Sequence, residues 1–169
     1  MTETPQQYKA RILSQLQGRE PLGLLAVASD KLTELIARTK PSALSQPPAP
    51  GKWTINEIVA HLADVELVNG FRMRMALSDP GCAIQAFDQD AWAVDGCYSQ
   101  IAAQTSLALF RELRAANLAL LKALTPEEWE HAGIHAERGR ESVRDISGFL
   151  AGHDLNHFTQ IEEILNHTN

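Results

Sequence analysis

The stretch Thr54-Ile-Asn-Glu-Ile-Val-Ala-His-Leu-Ala-Asp-Val-Glu-Leu-Val68 decides the fold. Thr54 and Glu57 form a capping box, in which each side chain accepts a hydrogen bond from the other's backbone N–H, so a helix should begin here. Apolar residues then follow the three- and four-residue spacing of one helix face: Ile58, Val65 and Val68. His61 occupies the same face. The stretch therefore predicts an amphipathic helix that carries a histidine into the core.

Three other segments have a helical period, and no run of alternating strand pattern accompanies them. The predicted helices span about Gln6–Arg38, Thr54–Leu77, Ser99–Leu124 and Ser142–Asn166. Gly18 and Pro21 should break the first of them. The connections are predicted as a Pro-rich segment, a long loop over Cys82–Tyr98 with a short helical turn at Asp88–Val94, and a loop over His131–Arg140. Four helices in 169 residues predict one all-α domain over residues 1–169, a four-helix bundle.

The last predicted helix carries two more histidines on its apolar face. Its inward positions have the same three- and four-residue spacing: Ile146, Leu150, His153, His157, Ile161 and Ile164. Imidazoles at i and i+4 project from one helix face a turn apart, so both can reach one cation.

A lone inward histidine such as His61 is usually a core side chain satisfied by hydrogen bonds, so the three residues must be considered together. Each unpaired polar ring costs about 1–3 kcal/mol when buried, and a shared cation removes that cost. We therefore expect one divalent metal ion on His61, His153 and His157. Imidazole suits several metals, and zinc or nickel is the first choice. No fourth protein ligand is evident, which is typical of catalytic rather than structural zinc sites.

Four other residues are candidates for a supporting role around the metal. Asp64 lies within a turn of His61 and could accept a hydrogen bond from its outer N–H. Trp92, in the long loop, could line a substrate pocket or simply cover the end of the core. Arg114, like Arg72, could bind a carboxylate or pair with an acidic residue. His135 lies in a predicted loop that could approach the site.

Composition limits the classes of partner. The formal net charge is −6 and the basic residues are scattered, which argues against a nucleic-acid partner. No stretch approaches the ~18 consecutive apolar residues of a membrane span, and the polar N-terminus lacks the pattern of a signal peptide. We expect a cytoplasmic protein that acts on a small molecule.

The chain resembles the DinB-like (DinB/YfiT) superfamily of metal-dependent enzymes. Three blocks carry the resemblance: Trp53 to Glu66 with Arg72, Phe110 to Arg114, and Gly139 to Val143 leading into Gly152–Ile161. The resemblance implies a four-helix bundle with a long crossover connection, often dimeric. It also implies a metal on three histidines, which correspond here to His61, His153 and His157. Relatives include transferases and isomerases that use low-molecular-weight thiols.

Two reactions suit a three-histidine site with open coordination positions. A metal-bound thiolate could attack an electrophile, which gives thiol transfer with a low-molecular-weight thiol as cosubstrate. A metal-bound hydroxide could attack an ester or amide, which gives hydrolysis. Two alternatives remain open, namely a binding protein without turnover and a structural bundle in which hydrogen bonds satisfy the histidines.

Overall fold

The computed structural model of the protein describes residues 3–168, with side chains through residue 166. In these residues helices alternate with short strands and turns. The helices are α1 Pro5–Ser14, α2 Pro21–Arg38, α3 Pro41–Leu44, α4 Ile55–Ser78, α5 Gln89–Asp95, α6 Ala103–Ala123 and α7 Val143–Thr168. The strands are β1 Ala83–Ile84, β2 Ala132–His135 and β3 Gly139–Ser142. Single 3₁₀ turns cover Tyr98–Gln100 and Glu128–Glu130.

The four long helices α2, α4, α6 and α7 form the bundle. Helix α2 packs against α6 and α7, and α4 packs against the same two helices. The long helices α2 and α4, which are separated in the chain only by the short α3, therefore occupy opposite corners of the bundle. Residues 39–54 connect them across one end of the bundle. This arrangement confirms the predicted four-helix bundle with a long crossover connection.

Side-chain caps fix where the two histidine-bearing helices begin. The Thr54 hydroxyl accepts a hydrogen bond from the Glu57 backbone N–H at 3.2 Å, and the Glu57 carboxylate accepts one from the Thr54 N–H at 2.7 Å. Ser142 and Asp145 exchange the same two bonds, at 3.1 and 2.9 Å, ahead of α7. Both predicted helix starts are confirmed, and each satisfies N–H groups that the first turn leaves free.

The predicted break between the first two helices is also confirmed. Gln17 and Gly18 both adopt positive φ angles, of 50° and 77°, so the chain reverses before α2 starts at Pro21. Helix α1 then packs on α7 at Gly152. A Cβ atom at Gly152 would lie 2.3 Å from the carbonyl oxygen of Ile12. Only glycine permits this contact between the two helix backbones.

A small three-stranded sheet accompanies the helices, although the sequence shows no run of alternating strand pattern. Strand β2 pairs in parallel with β1 and antiparallel with β3, with His135 opposite both Ile84 and Gly139. The strands are two and four residues long, too short for an alternating pattern to be recognised in the sequence. The predicted loop over His131–Arg140 is mostly this β2–β3 hairpin. It holds His135 in a fixed position beside α4.

The apolar core fills the space between the bundle helices. Leu32 of α2, Ile58 of α4, Phe110 of α6 and Ile161 of α7 are completely buried within it. Among the residues described, no helix is both long enough and apolar enough to cross a membrane. The three histidines singled out above lie in this interior, at 1% exposure for His61, 2% for His153 and 8% for His157.

Candidate metal centre

Three imidazole rings from two helices meet in the bundle interior. His61 projects from α4, while His153 and His157 project from α7 one turn apart. The Nε2 atom of His153 lies 3.1 Å from that of His61 and 3.2 Å from that of His157. The three ligand atoms all lie within 4.8 Å of one another. The sequence prediction that these rings converge therefore agrees with the structure.

This spacing suits three nitrogens that share one cation. Nitrogens held about 2.0–2.1 Å from a tetrahedral metal lie about 3.3 Å apart, close to the two shortest distances here. Three neutral nitrogens that face one another without a cation can share hydrogen bonds only if some of them carry a proton. A divalent ion would instead accept a lone pair from each ring.

The environment keeps the three rings neutral, as metal binding requires. Burial, together with the charge of His157, lowers the pKa of His61 to about 3. Burial lowers the pKa of His157 to about 4, although its hydrogen bond with Gln160 acts in the opposite direction. Burial also lowers the pKa of His153 well below its ordinary value. Each ring therefore offers a lone pair near neutral pH.

Gln160 sets the tautomer of His157. Its Oε1 lies 2.8 Å from Nδ1 of His157, and because a carbonyl oxygen can only accept, Nδ1 carries the proton. The Nε2 atom that faces the other histidines is therefore the unprotonated one. Sequence analysis did not assign this role to Gln160, although it lies three residues after His157 on the same helix face.

Replacing Gln160 with leucine is expected to weaken metal binding by about 10- to 100-fold, because partners of this kind orient the ligand and raise its basicity. Competition with a chelating dye would measure the affinity. Thr159→Ala is the matched control, since the Thr159 hydroxyl bonds only to the Leu155 carbonyl on the exposed side of α7. Equal affinities for Q160L and the control would contradict the assigned tautomer.

Aromatic rings, not hydrogen bonds, hold the other two histidines. The Nδ1 atoms of His61 and His153 are buried and have no hydrogen-bond partner among the described residues. Trp53 packs on His61 with ring centroids 5.0 Å apart, and Phe149 stacks on His153 at 5.8 Å. Trp53 is thus a packing residue beside His61.

The prediction that Asp64 holds the outer N–H of His61 is wrong. Asp64 instead accepts a hydrogen bond from the Tyr98 hydroxyl at 2.5 Å. Tyr98 packs edge-on against Trp53, which in turn packs on His61. Asp64 therefore acts on the metal centre only through two aromatic side chains, and Tyr98 lies too far along the chain for this partnership to be foreseen.

Arg114 lies beneath the site in a buried ion network. Its guanidinium donates to Glu66 at 2.5 Å and to Asp154 at 2.7 Å, so the alternative that it pairs with acidic residues is the correct one. Asn117 also donates to the Glu66 carboxylate, at 2.9 Å. Since Asp154 directly follows His153, the network ties α4 and α6 to the turn of α7 that carries His153 and His157.

The network contains two carboxylates and one cation, and this imbalance shows in the pKa values. Burial raises the pKa of Asp154 to about 7 despite the Arg114 charge, and the Glu66 charge adds to the rise. Burial alone would lower the pKa of Arg114, but Asp154 and Glu66 raise it above its ordinary value. Arg114 therefore remains charged, while the raised pKa of Asp154 makes its carboxylate take up a proton more readily than an exposed aspartate does.

A cavity of about 290 Å³ opens beside the three histidines. His61 and His153 line it, together with His135, which the sequence named as a candidate. Trp92 does not line this cavity. Its ring packs at a tilt against Phe87, with centroids 4.8 Å apart, and lines a neighbouring apolar groove, so the pocket role considered for Trp92 does not extend to the histidine cavity.

Comparisons with known proteins agree with the fold. The family model of the DinB superfamily matches residues 24–161. The Bacillus subtilis protein named "Putative metal-dependent hydrolase YfiT" is 27% identical over 160 residues, covering 94% of this chain and 90% of its own. An Oceanobacillus iheyensis relative, "Putative metal-dependent hydrolase OB0413", is 28% identical over 134 residues, covering 79% of this chain and 77% of its own.

Two solved structures share the fold. YfiT, whose structure is described as an unusual four-helix bundle topology, superposes with a TM-score of 0.81 at 26% identity, covering 86% of this chain and 84% of its own. The mycothiol-dependent maleylpyruvate isomerase superposes with a TM-score of 0.65 at 13% identity, covering 83% of this chain and 59% of its own. The second likeness concerns the fold alone. With a family model that spans most of its length, the chain belongs to the DinB superfamily.

Proposed function

We propose that the protein is a metal-dependent hydrolase with one divalent ion on His61, His153 and His157. The observation that carries the proposal is the convergence of three neutral imidazole nitrogens beside an open cavity. The names of the Bacillus and Oceanobacillus relatives support it, because those proteins match over most of their length.

The chain would supply the binding and the surroundings of the ion. A bound divalent ion would act as a Lewis acid and lower the pKa of coordinated water towards ~7. Three neutral ligands leave the positive charge of the ion uncompensated and leave coordination positions free. Trp53 and Phe149 pack against the rings of His61 and His153 and would hold these two ligands in position.

Thiol transfer is the second candidate. A divalent ion deprotonates a coordinated thiol as readily as it activates water, so the same three residues would serve a low-molecular-weight thiol. The family resemblance favours this reaction, and the structural neighbour that acts with mycothiol is consistent with it. A binding role without turnover is the third alternative.

Metal-dependent turnover distinguishes these functions. Chelated protein reloaded with Zn²⁺ or Ni²⁺ is assayed on ester and amide panels, with and without low-molecular-weight thiols. We expect hydrolysis that needs the metal and no thiol, and that is retained in His131→Ala, whose ring contacts the Leu77 carbonyl on α4. Turnover only with a thiol would assign a transferase, and no metal-dependent turnover would contradict an enzymatic role.

The state of the protein in the cell is a further part of the proposal. We propose a homodimer, as the family resemblance implies, in the cytoplasm and with zinc or nickel as the ion. Light scattering on the metal-loaded protein would test the assembly, and a mass of one chain would contradict the dimer.

A further inference from the structure

Arg72 differs from the other buried arginine of the described chain in having no acidic partner. The residue is 5% exposed, and its guanidinium donates to the Gln85 carbonyl at 2.5 Å and, more weakly, to the Asn69 side-chain oxygen at 3.4 Å. Both acceptors are uncharged. Arg114, by contrast, contacts two carboxylates. A buried cation without an anion is costly, because neither water nor a counter-charge replaces its lost hydration.

The charge of Arg72 persists despite this environment. Burial and the nearby Arg138 charge lower the pKa of Arg72 to about 10, while Glu141 and Glu137 act in the opposite direction. Arg72 therefore carries its charge at neutral pH. Glu141 already pairs with Arg138 at 2.8 Å and with Lys9 at 3.1 Å, so it does not compensate Arg72 directly.

His135 has a donor without an acceptor among the described residues, and the β2–β3 hairpin fixes its tautomer. Its Nδ1 accepts hydrogen bonds from the backbone N–H groups of Glu137 and Arg138, at 3.1 and 3.3 Å. The proton must therefore be on Nε2, which is buried and has no partner among the described residues. The ring as a whole is 2% exposed.

Both donors line the cavity that His61 and His153 also line. In this cavity the Nε2–H of His135 has no acceptor among the described residues, and the charged guanidinium of Arg72 has only uncharged acceptors. The acidic side chains that line this cavity are Glu3, which pairs with Arg11 at 3.1 Å, and the exposed Glu137. The group that complements the pair of donors is an oxyanion of a small molecule.

We propose that Arg72 and His135 form a carboxylate-binding subsite that orients an anionic substrate towards the three-histidine centre. The assignment names the substrate class of the proposed enzyme and in that respect rests on the proposed function. Arg72 supplies the charge, and His135 supplies a directional hydrogen bond from Nε2. The Arg72 guanidinium lies over the Phe87 ring, 5.7 Å from its centroid, and this contact helps to hold the charged group in position.

The binding of propionate and of its neutral analogue propionamide to the metal-free full-length chain tests the subsite separately from metal chemistry. Isothermal titration should show propionate binding at least about tenfold more tightly than propionamide, since a charged hydrogen bond is worth about 1.5–3 kcal/mol. Arg72→Met and His135→Phe should each remove most of this preference. Arg74→Met is the matched control, because Arg74 bonds to the Gly70 carbonyl and Asn117 outside the cavity.

The stability of the free variants gives an independent measurement. Since Arg72 has no acidic partner, Arg72→Met should leave the melting temperature unchanged or raise it. Equal binding of propionate and propionamide, an unchanged preference in R72M, or a large fall in its melting temperature would each overturn the proposal. If metal uptake fails while the propionate preference holds, the proposed function fails and the subsite stands. If the metal binds but the propionate preference is absent, the proposed subsite is wrong and the proposed function stands.

Discussion

Replacing His153 with alanine is expected to reduce bound metal from one ion per chain to nearly none and to abolish metal-dependent turnover. His153 is the middle ligand, since its Nε2 lies within 3.2 Å of both other Nε2 atoms. Without His153, only His61 and His157 remain as neutral ligands, on either side of the space that the His153 ring leaves. The affinity should fall by more than the roughly 100-fold that losing an orienting partner costs. Elemental analysis and chelator competition would measure the loss.

Thermal unfolding checks the same change without an assay of activity. A ligand that binds only the folded state stabilises it, by about 2.7 kcal/mol at 100 times its dissociation constant. Metal should therefore raise the melting temperature of the wild type and of His131→Ala, but not that of H153A. Equal metal content in H153A and the wild type would contradict the three-histidine centre.

Replacing Arg114 with methionine is expected to cost about 3–5 kcal/mol of unfolding free energy, the largest stability effect that we predict. The substitution leaves the Glu66 and Asp154 carboxylates buried without a cation. Both carboxylates lie in the bundle interior, so neither can recover its hydration without opening the helices. Urea denaturation would measure the change, which corresponds to a fall of roughly 10 °C in melting temperature for a chain of this size.

The network of Glu66, Arg114 and Asp154 holds two carboxylates and one cation, so further variants can test whether the unpaired charges cause the loss of stability. The triple variant E66Q/R114M/D154N removes every charge and should recover much of the lost stability, because replacing a whole buried ion network is often nearly neutral. In R114M alone, the folded state should bind protons more readily than the unfolded chain, since both carboxylates lack a cation. Its stability should therefore rise as the pH falls from 8 towards 5. A pH-independent loss, or no recovery in the triple variant, would contradict the assigned cause.

The helical framework and the meeting of the histidines were predictable because they depend on local signals. Thr54 and Glu57 cap their helix through residues three apart, and His153 and His157 share a face because of the helical period alone. The convergence of His61 with that pair needed only the assumption that the apolar faces of α4 and α7 meet in one core. These features follow from short-range geometry and burial.

The surroundings of the histidines were not predictable because they depend on contacts between distant segments. Asp64 lies one turn from His61, yet its hydrogen bond goes to Tyr98, 34 residues further on. The strands around His135 are too short to leave a periodic pattern. The sequence left two interpretations of Arg114 open, namely carboxylate binding and pairing with an acidic residue. Only its contacts with Glu66 and Asp154, which come from two other helices, decided for the second.

Helix α1 contacts Gly152 of α7, one residue before His153. It lies outside residues 24–161, which the family model matches, yet Pro5 and Tyr8 form part of the wall of the cavity beside the three histidines. Part of the cavity wall is thus supplied by a segment that the family model does not match. Substitutions at Pro5 or Tyr8 would reshape this wall and leave the three histidine residues themselves unchanged.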